Sequence, residues 1–161
     1  MSQNIYPGVF LAALIETVFP PIPSEVVFPL AGYSILKNEM NVFHVVGVGI
    51  TGGAGATVGA FVIYIISKRL GRIGLIKYLK YAKIKENSLE KADHWFEKYG
   101  DKSVIIGRVI PGIRELVSIP AGIFNMNPIK FLIFTLIGSC IWSIALTGAG
   151  YYFGIATLNI F

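Results

Sequence analysis

Two runs of the chain contain no Asp, Glu, Lys or Arg, namely residues 40–67 and 131–161. Each run exceeds the roughly 20 residues that an α-helix needs to cross a bilayer. The chain as a whole is 54% hydrophobic and 14% charged, which lies outside the usual composition of soluble domains. The sequence therefore predicts an all-α membrane protein formed as one domain over residues 1–161, with transmembrane helices over 41–67 and 128–153. We also expect no cleaved signal peptide, because Met1 to Ile15 has no basic residue.

The basic residues are concentrated between these two runs. Ten of the fourteen Lys and Arg residues lie between Lys68 and Lys102. The positive-inside rule places such a connector, residues 68–102, in the cytoplasm and both chain termini outside. Its first half alternates basic and apolar residues, as in helices that lie on anionic lipid, and a nucleic-acid patch is the weaker alternative. Its second half predicts an amphipathic helix with Asn87 as N-cap and Gly100 as terminator.

Two proline-broken segments cannot form simple spanning helices. Pro20, Pro21 and Pro23 remove backbone donors and disfavour helical geometry just before them. The apolar stretches on either side are each about half as long as a ~30 Å hydrocarbon layer requires. We therefore predict two re-entrant helical hairpins, residues 5–36 and 103–127. Non-helical backbone at that depth must line a protein-covered polar cavity.

Both broken segments carry charges, with acids in the first and arginines in the second. A charge at the bilayer centre costs about 2.5–3.5 kcal/mol on insertion scales, so opposite charges at matching breaks favour one shared polar site. The predicted substrate-binding residues are Glu16, Glu25, Arg108 and Arg114, with Glu115 as a secondary candidate. The predicted loop-forming residues at this site are Pro21, Pro23, Ser24, Pro111 and Gly112.

An internal repeat relates the two broken segments. Pro21–Gly32 aligns with Pro111–Gly122 without gaps, with identities at five of twelve positions. Because one spanning helix separates the copies, the second copy would enter the membrane from the opposite side. This is the inverted-repeat arrangement of secondary transporters, whose binding sites lie near the midplane where discontinuous helices meet.

Glycines are dense in the first long run. Gly49 with Gly53, and Gly55 with Gly59, have the small-xxx-small spacing that lets membrane helices approach closely. This spacing predicts close helix packing, and a flexible hinge is the weaker alternative.

The chain resembles the DedA family of membrane proteins, also called the SNARE-associated or VTT-domain family. The resemblance spans nearly the whole chain and depends on several motifs together. These are Glu16-Thr-Val-Phe-Pro-Pro-Ile-Pro-Ser-Glu25, Ala31-Gly32, Phe96-Glu-Lys-Tyr-Gly100, Gly107-Arg-Val-Ile-Pro-Gly-Ile-Arg114 and Pro120-Ala-Gly122, with Met126, Phe131, Gly138 and Trp142 at the expected places.

The resemblance implies a lipid translocator in the cell membrane of a prokaryote. Family members are similar in recycling undecaprenyl phosphate or moving phospholipids, and are linked to the proton-motive force. The family's essential acids would correspond to Glu16 and Glu25, and its essential arginines to Arg108 and Arg114. The chain is shorter at both ends than the family pattern, so we expect a near-minimal member whose exposed flank a second copy, in a homo-oligomer, could cover.

The charges themselves suggest a chemistry. An arginine fork can bind phosphate oxygens in place of water, and a predicted helix N-terminus near Gly112 to Arg114 would add backbone donors. The acids could pair with the arginines, and protonation would then release an arginine for a lipid phosphate. A purely structural buried ion pair is the alternative interpretation.

Other function classes fit the sequence less well. An enzyme is not expected, because no catalytic serine or histidine constellation is visible, and the two histidines have no metal-ligand spacing. We expect no cofactor, metal or nucleic-acid partner, and a proton or Na⁺ as the coupling ion. A proton-coupled exporter of cations or small molecules would use the same four charges and stays open. A scaffold for partner proteins would leave those charges unexplained.

Overall fold

The computed structural model describes residues 5–18, 24–81, 86–111, 113–114 and 116–158. Within these ranges, the side chains of residues 24, 72, 74–79, 81, 86 and 155–158 lie outside the description. Every described element is an α-helix. In chain order the helices are α1 (Ile5–Val18), α2 (Ser24–Lys37), α3 (Phe43–Tyr81), α4 (Glu86–Tyr99), α5 (Lys102–Arg108), α6 (Ser118–Ile123) and α7 (Pro128–Leu158).

Helices α3 and α7 are long and apolar enough to cross a membrane. The qualifying stretches are Phe43–Gly71 and Pro128–Gly154, close to the predicted 41–67 and 128–153. Large apolar side chains are exposed along both helices, whereas the buried residues of α7 include small polar ones. The exposed set includes Val46, Ile50, Val58, Val62, Ile133, Ile137 and Ile141, and the buried polar set of α7 is Thr135, Ser139, Ser143 and Thr147. An apolar exterior over a small-residue interior is typical of helices packed in lipid.

Glycines on two faces of α3 let neighbouring helices approach its backbone. A Cβ atom at Gly49 or Gly53 would lie within 2.3 and 2.6 Å of α7 side chains. A Cβ atom at Gly55 would lie 2.3 Å from the carbonyl oxygen of Phe10 on α1, and one at Gly59 would also collide with α1. The predicted close packing through small-xxx-small spacing is therefore confirmed, and α3 lies between α1 and α7.

Each of the two long helices packs against one short helix from the first broken segment and one from the second. Helix α1 packs on α3 and α5 packs on α7, whereas α2 lies against α7 and α6 lies against α3. A Cβ atom at Gly32 of α2 would lie 2.0 Å from the carbonyl oxygen of Thr147, and one at Gly122 of α6 would lie 2.5 Å from that of Tyr64. These glycines end the two aligned segments, so equivalent positions make equivalent contacts on opposite long helices.

The connector differs from the prediction at its start. The apolar span runs from Phe43 to Gly71, slightly beyond the predicted end at Ser67, and non-helical backbone at Gly71 (φ 59°, ψ −165°) divides it from a second helical segment of α3 that ends at Tyr81. Only glycine adopts this conformation readily, so Gly71 separates the apolar span from the basic segment. The predicted N-cap at Asn87 is wrong, because α4 already includes Glu86. Gly100 is confirmed as the terminator, since it follows α4 with φ 55°.

In the second broken segment, the helix after the break begins later than predicted. Helix α5 ends at Arg108 and α6 begins only at Ser118, so Arg114 lies in turns and not at a helix N-terminus. Pro120 gives a physical reason. A helix starting at Gly112 would hold Pro120 in its interior, where proline removes a hydrogen bond, whereas the observed start leaves it in the first turn. Gly112 itself lies outside the described residues.

Candidate functional site

Glu16 is a buried carboxylate near the end of α1. Its exposed fraction is 2%, and α1 ends two residues later, at Val18. The helix dipole places partial negative charge at this end, which disfavours a carboxylate there unless a cation lies close by. The hydroxyl of the adjacent Thr17 donates to the Ala13 carbonyl oxygen at 2.8 Å, so its hydrogen bond lies within α1.

Arg114 supplies that cation from the turns between α5 and α6. Its Nη2 atom lies 2.5 Å from Glu16 Oε1, and the two side chains are 12% and 3% exposed. The pair joins residues 98 positions apart in the chain. A charge-assisted contact with so little exposure is screened weakly by solvent, so it links the first broken segment to the second.

Arg108, the last residue of α5, is 3% exposed and lies near this pair. Its Nη2 donates to the Ser118 hydroxyl at 2.7 Å, which ties the end of α5 to the start of α6. A Cβ atom at Gly138 of α7 would lie 2.6 Å from Arg108 Cβ. Gly138 therefore makes the space in which the Arg108 side chain lies against α7.

These three charged residues line one small cavity. Its other lining residues come from α1, α2, α3 and α7, and are Thr17, Phe28, Ala56, Ser139, Trp142 and Ser143. The cavity volume is about 20 Å³. This is room for about one water molecule and far too little for a phosphate group, so the described conformation is closed.

Trp142 of α7 completes one wall of the cavity. The Arg114 Cζ atom lies 5.6 Å from the centroid of its ring, within the range of a cation–π contact. The Trp142 Nε1 atom is buried and has no hydrogen-bond acceptor among the residues that the structure describes. Ser139 and Ser143 lie one helical turn apart and line the cavity beside Trp142.

The VTT-domain family model matches residues 22–152, which is most of the chain. The chain belongs to the VTT-domain (DedA) family. The resemblance read from the motifs is thereby confirmed, and the two apolar helices agree with a membrane protein.

Three bacterial relatives of this VTT-domain protein illustrate the family. Undecaprenyl phosphate transporter A of Staphylococcus aureus is 32% identical over 91% of this chain and 72% of its own length. Protein DedA of Escherichia coli is 30% identical over 93% of this chain and 69% of its own length. A Lactococcus lactis protein named alkaline phosphatase-like is 35% identical over 96% of this chain and 73% of its own length. No solved structure matches the chain significantly.

The structure does not bring every predicted site residue of this VTT-domain protein to the cavity. Glu25 is exposed in the first turn of α2 and lines a separate groove with Pro29, Tyr33 and Phe153. Pro111 is exposed in the turns after α5, and Ser24 begins α2. The remaining predicted residues, Pro21, Pro23, Gly112 and Glu115, lie outside the described residues.

Sequence reasoning missed the hydroxyl and indole groups at the site. Ser118 contacts Arg108, and Ser139, Trp142 and Ser143 line the cavity. A signal was present, because Ser139 and Ser143 are spaced i, i+4 within a run without charged residues and therefore share one helix face. Within the described parts of the chain, no three potential metal-ligating side chains form a cluster.

Proposed function

We propose that this protein is a lipid translocase that moves a lipid with a phosphate headgroup, such as a polyprenyl phosphate, across the membrane. Arg108 and Arg114 would bind the phosphate. The observation that carries the proposal is the buried pair of Glu16 and Arg114, which lines a closed cavity together with Arg108. The name of the S. aureus relative, undecaprenyl phosphate transporter A, supports this class of substrate.

The charges that line the cavity favour an anion over a cation. Its described lining contains two guanidinium groups and one carboxylate. Arginine presents planar donors that match phosphate oxygens in pairs. A cation would instead require an excess of carboxylate or carbonyl oxygens. We therefore favour lipid phosphate transport over proton-coupled export of cations.

Glu16 gives the proposed site a route to proton coupling. Its carboxylate occupies Arg114 in the closed conformation, in the place where a phosphate oxygen would bind. Protonation of Glu16 would weaken this contact and free Arg114 for the lipid. Because the cavity holds only about 20 Å³, the elements around it must separate before a headgroup can enter. Glu25 faces a different groove and is left out of the closed site.

The proposal includes an inverted repeat of two re-entrant hairpins, α1 with α2 and α5 with α6. The packing of the short helices supports it. The first helix of each pair packs on the long helix that follows the pair in the chain, and α2 and α6 pack on the other long helix, α7 and α3 respectively. The equivalent close approaches at Gly32 and Gly122 also support it. In such a repeat the two hairpins would enter from opposite sides and meet at the binding site.

Transport of a lipid phosphate in proteoliposomes tests the proposal directly. The measured quantity is the accessibility of the headgroup phosphate on the two sides of the vesicle. Arg114→Lys keeps the charge but loses the paired donors, so we expect slower transport from a folded protein, and Arg114→Ala should be slower still. Glu16→Gln imitates the protonated acid and should retain lipid exchange while losing its response to a pH gradient.

Lys130→Ala is the matched control, because Lys130 is 61% exposed and its partner Asp101 lies away from the cavity. Circular dichroism shows whether each variant is folded. Equal lipid flux in wild type, both Arg114 variants and Glu16→Gln would contradict the proposed mechanism. Cation flux without lipid flux in the same vesicles would favour the exporter, and release of inorganic phosphate from the lipid would favour an enzyme.

The proposed orientation places α4 in the cytoplasm. In a Cys140→Ser background, we expect an impermeant thiol reagent to label Asn38→Cys in intact cells. The reagent should label Glu90→Cys only after the cells are permeabilised. Both positions are exposed in the structure, so access to the reagent depends on the side of the membrane. The opposite labelling pattern would reverse the orientation.

A further inference from the structure

The indole nitrogen of Trp142 is a buried donor, and the residue lines the cavity that Arg108 and Arg114 also line. Nε1–H can donate a hydrogen bond but cannot accept one. No acceptor for it exists among the described residues, although Trp142 lines the same cavity as Glu16, Arg108 and Arg114. An unsatisfied buried donor is unfavourable, so a retained one at a cavity wall points to an acceptor that arrives with a ligand.

The ring of Trp142 has a second contact that fits this role. The centroid of the ring lies 5.6 Å from Arg114 Cζ, so the ring can orient the guanidinium when Glu16 does not contact it. The indole and the two arginines therefore line one cavity with groups that can donate hydrogen bonds. Ser139 and Ser143, from the same stretch of α7, add hydroxyl groups to that wall.

We propose that Trp142 binds the substrate directly, with Nε1–H donating to a phosphate oxygen while the ring face keeps Arg114 oriented. This inference rests on the proposed function and extends it to a residue of α7, outside both hairpins. Phosphate binding would then require groups from the turns after α5 and from a spanning helix at once. An oxygen-rich anionic headgroup would satisfy all of these donors, whereas a cation would satisfy none.

Binding of dodecyl phosphate to the full-length protein in zwitterionic detergent tests the inference by calorimetry. Trp142→Phe keeps an aromatic face for Arg114 but removes the N–H group. Because a hydrogen bond to a charged acceptor is among the stronger ones in proteins, we expect about a tenfold weaker affinity for Trp142→Phe. Trp142→Leu also removes the ring face and should bind more weakly still.

Trp95→Phe is the matched control. Trp95 Nε1 is also buried without an acceptor among the described residues, but Trp95 lies on α4 and does not line this cavity. We expect wild-type affinity from Trp95→Phe. Because the chain has two tryptophans, this variant also leaves Trp142 as the only one. Its emission should shift to the red on saturation with dodecyl phosphate, and should not shift with dodecanol.

The outcomes separate this inference from the proposed function. Wild-type protein that binds dodecyl phosphate, together with Trp142→Phe that binds it equally well, would overturn the role of Trp142 and leave the translocase proposal standing. Wild-type protein that does not bind dodecyl phosphate would overturn both. A parallel titration with inorganic phosphate distinguishes recognition of a lipid headgroup from binding of the free anion, and equal affinity for both would contradict the lipid-specific site.

Discussion

The two proposed hairpins, α1 with α2 and α5 with α6, are alike in packing and different in chemistry. Helices α1 and α2 have 14 residues each, whereas α5 has 7 and α6 has 6. Both hairpins nevertheless place a glycine against the carbonyl oxygen of a long helix, Gly32 on α7 and Gly122 on α3. The first hairpin contributes Glu16 to the cavity, and the second contributes Arg108 and Arg114.

The two hairpins therefore repeat the same glycine contact with a long helix, but one supplies the acid of the cavity and the other supplies its two arginines. A single hairpin would bury charge of one sign, which is costly in an apolar environment. The charges become tolerable only when the hairpins are docked and Glu16 contacts Arg114. We therefore expect that opening the proposed site would also loosen the contact between the two proposed hairpins.

The largest expected effect comes from removing only one of the two charged partners of the ion pair. Glu16→Leu or Arg114→Leu leaves the other charge buried, which costs about 3–5 kcal/mol of unfolding free energy in comparable pairs. The double variant Glu16→Leu/Arg114→Leu should recover much of that loss. Chemical denaturation in detergent, followed by circular dichroism, measures all three. A double variant no more stable than the worse single variant would show that the two charges do not stabilise each other.

A smaller effect is expected from the hydroxyl groups beside the charges. Ser118 accepts a hydrogen bond from Arg108, so Ser118→Ala should lose about 1.5–3 kcal/mol, as expected for a bond to a charged group. Thr17 instead donates to its own helix, so Thr17→Val should lose less than Ser118→Ala. The same denaturation assay compares them. Equal losses would mean that the second hairpin does not depend on Ser118 to hold its arginine.

The glycine contacts test whether the packing is equivalent in the two hairpins. A Cβ atom would lie 2.0 Å from backbone at Gly32 and 2.5 Å at Gly122. We expect Gly32→Ala and Gly122→Ala each to lose about 1–3 kcal/mol through overpacking, with the larger loss at Gly32.

Gly8→Ala is the control for both glycines, because the residue is helical and a Cβ atom added to it would have no neighbouring atom within 4 Å. This variant should be unchanged or slightly more stable. Loss of stability at only one of Gly32 and Gly122 would show that the repeat is not equivalent in packing.

Much of this architecture could be predicted from residue patterns. Runs without charge located α3 and α7, and the spacing of Gly49, Gly53, Gly55 and Gly59 predicted their close contacts. These signals follow from rules that act within one helix, namely length, polarity and periodicity. They do not require knowledge of how the helices are rotated against one another.

The arrangement around the cavity was harder to predict for that reason. Opposite charges at two breaks suggested a shared site, but they could not tell which acid would reach it. Glu25 lies in the first turn of α2 and is exposed, whereas Glu16 is buried. The direction in which each side chain points depends on helix rotation, and that is set by tertiary packing. Trp142 enters the site only because α7 lies beside both α5 and α3.

The smallest expected effect concerns a tether found at the end of the second hairpin. The Tyr64 hydroxyl donates to the carbonyl oxygen of Met126, between α6 and α7, and Tyr64 is 1% exposed. Tyr64→Phe keeps the ring and removes this one bond, so we expect a loss of about 0.5–1.5 kcal/mol. Tyr33→Phe is the matched control at a residue that is 40% exposed, and should stay within about 0.5 kcal/mol of wild type. If the two variants were equally stable, the hydroxyl of Tyr64 would not hold the second hairpin to α3, and the tight contact at Gly122 would have to account for that attachment alone.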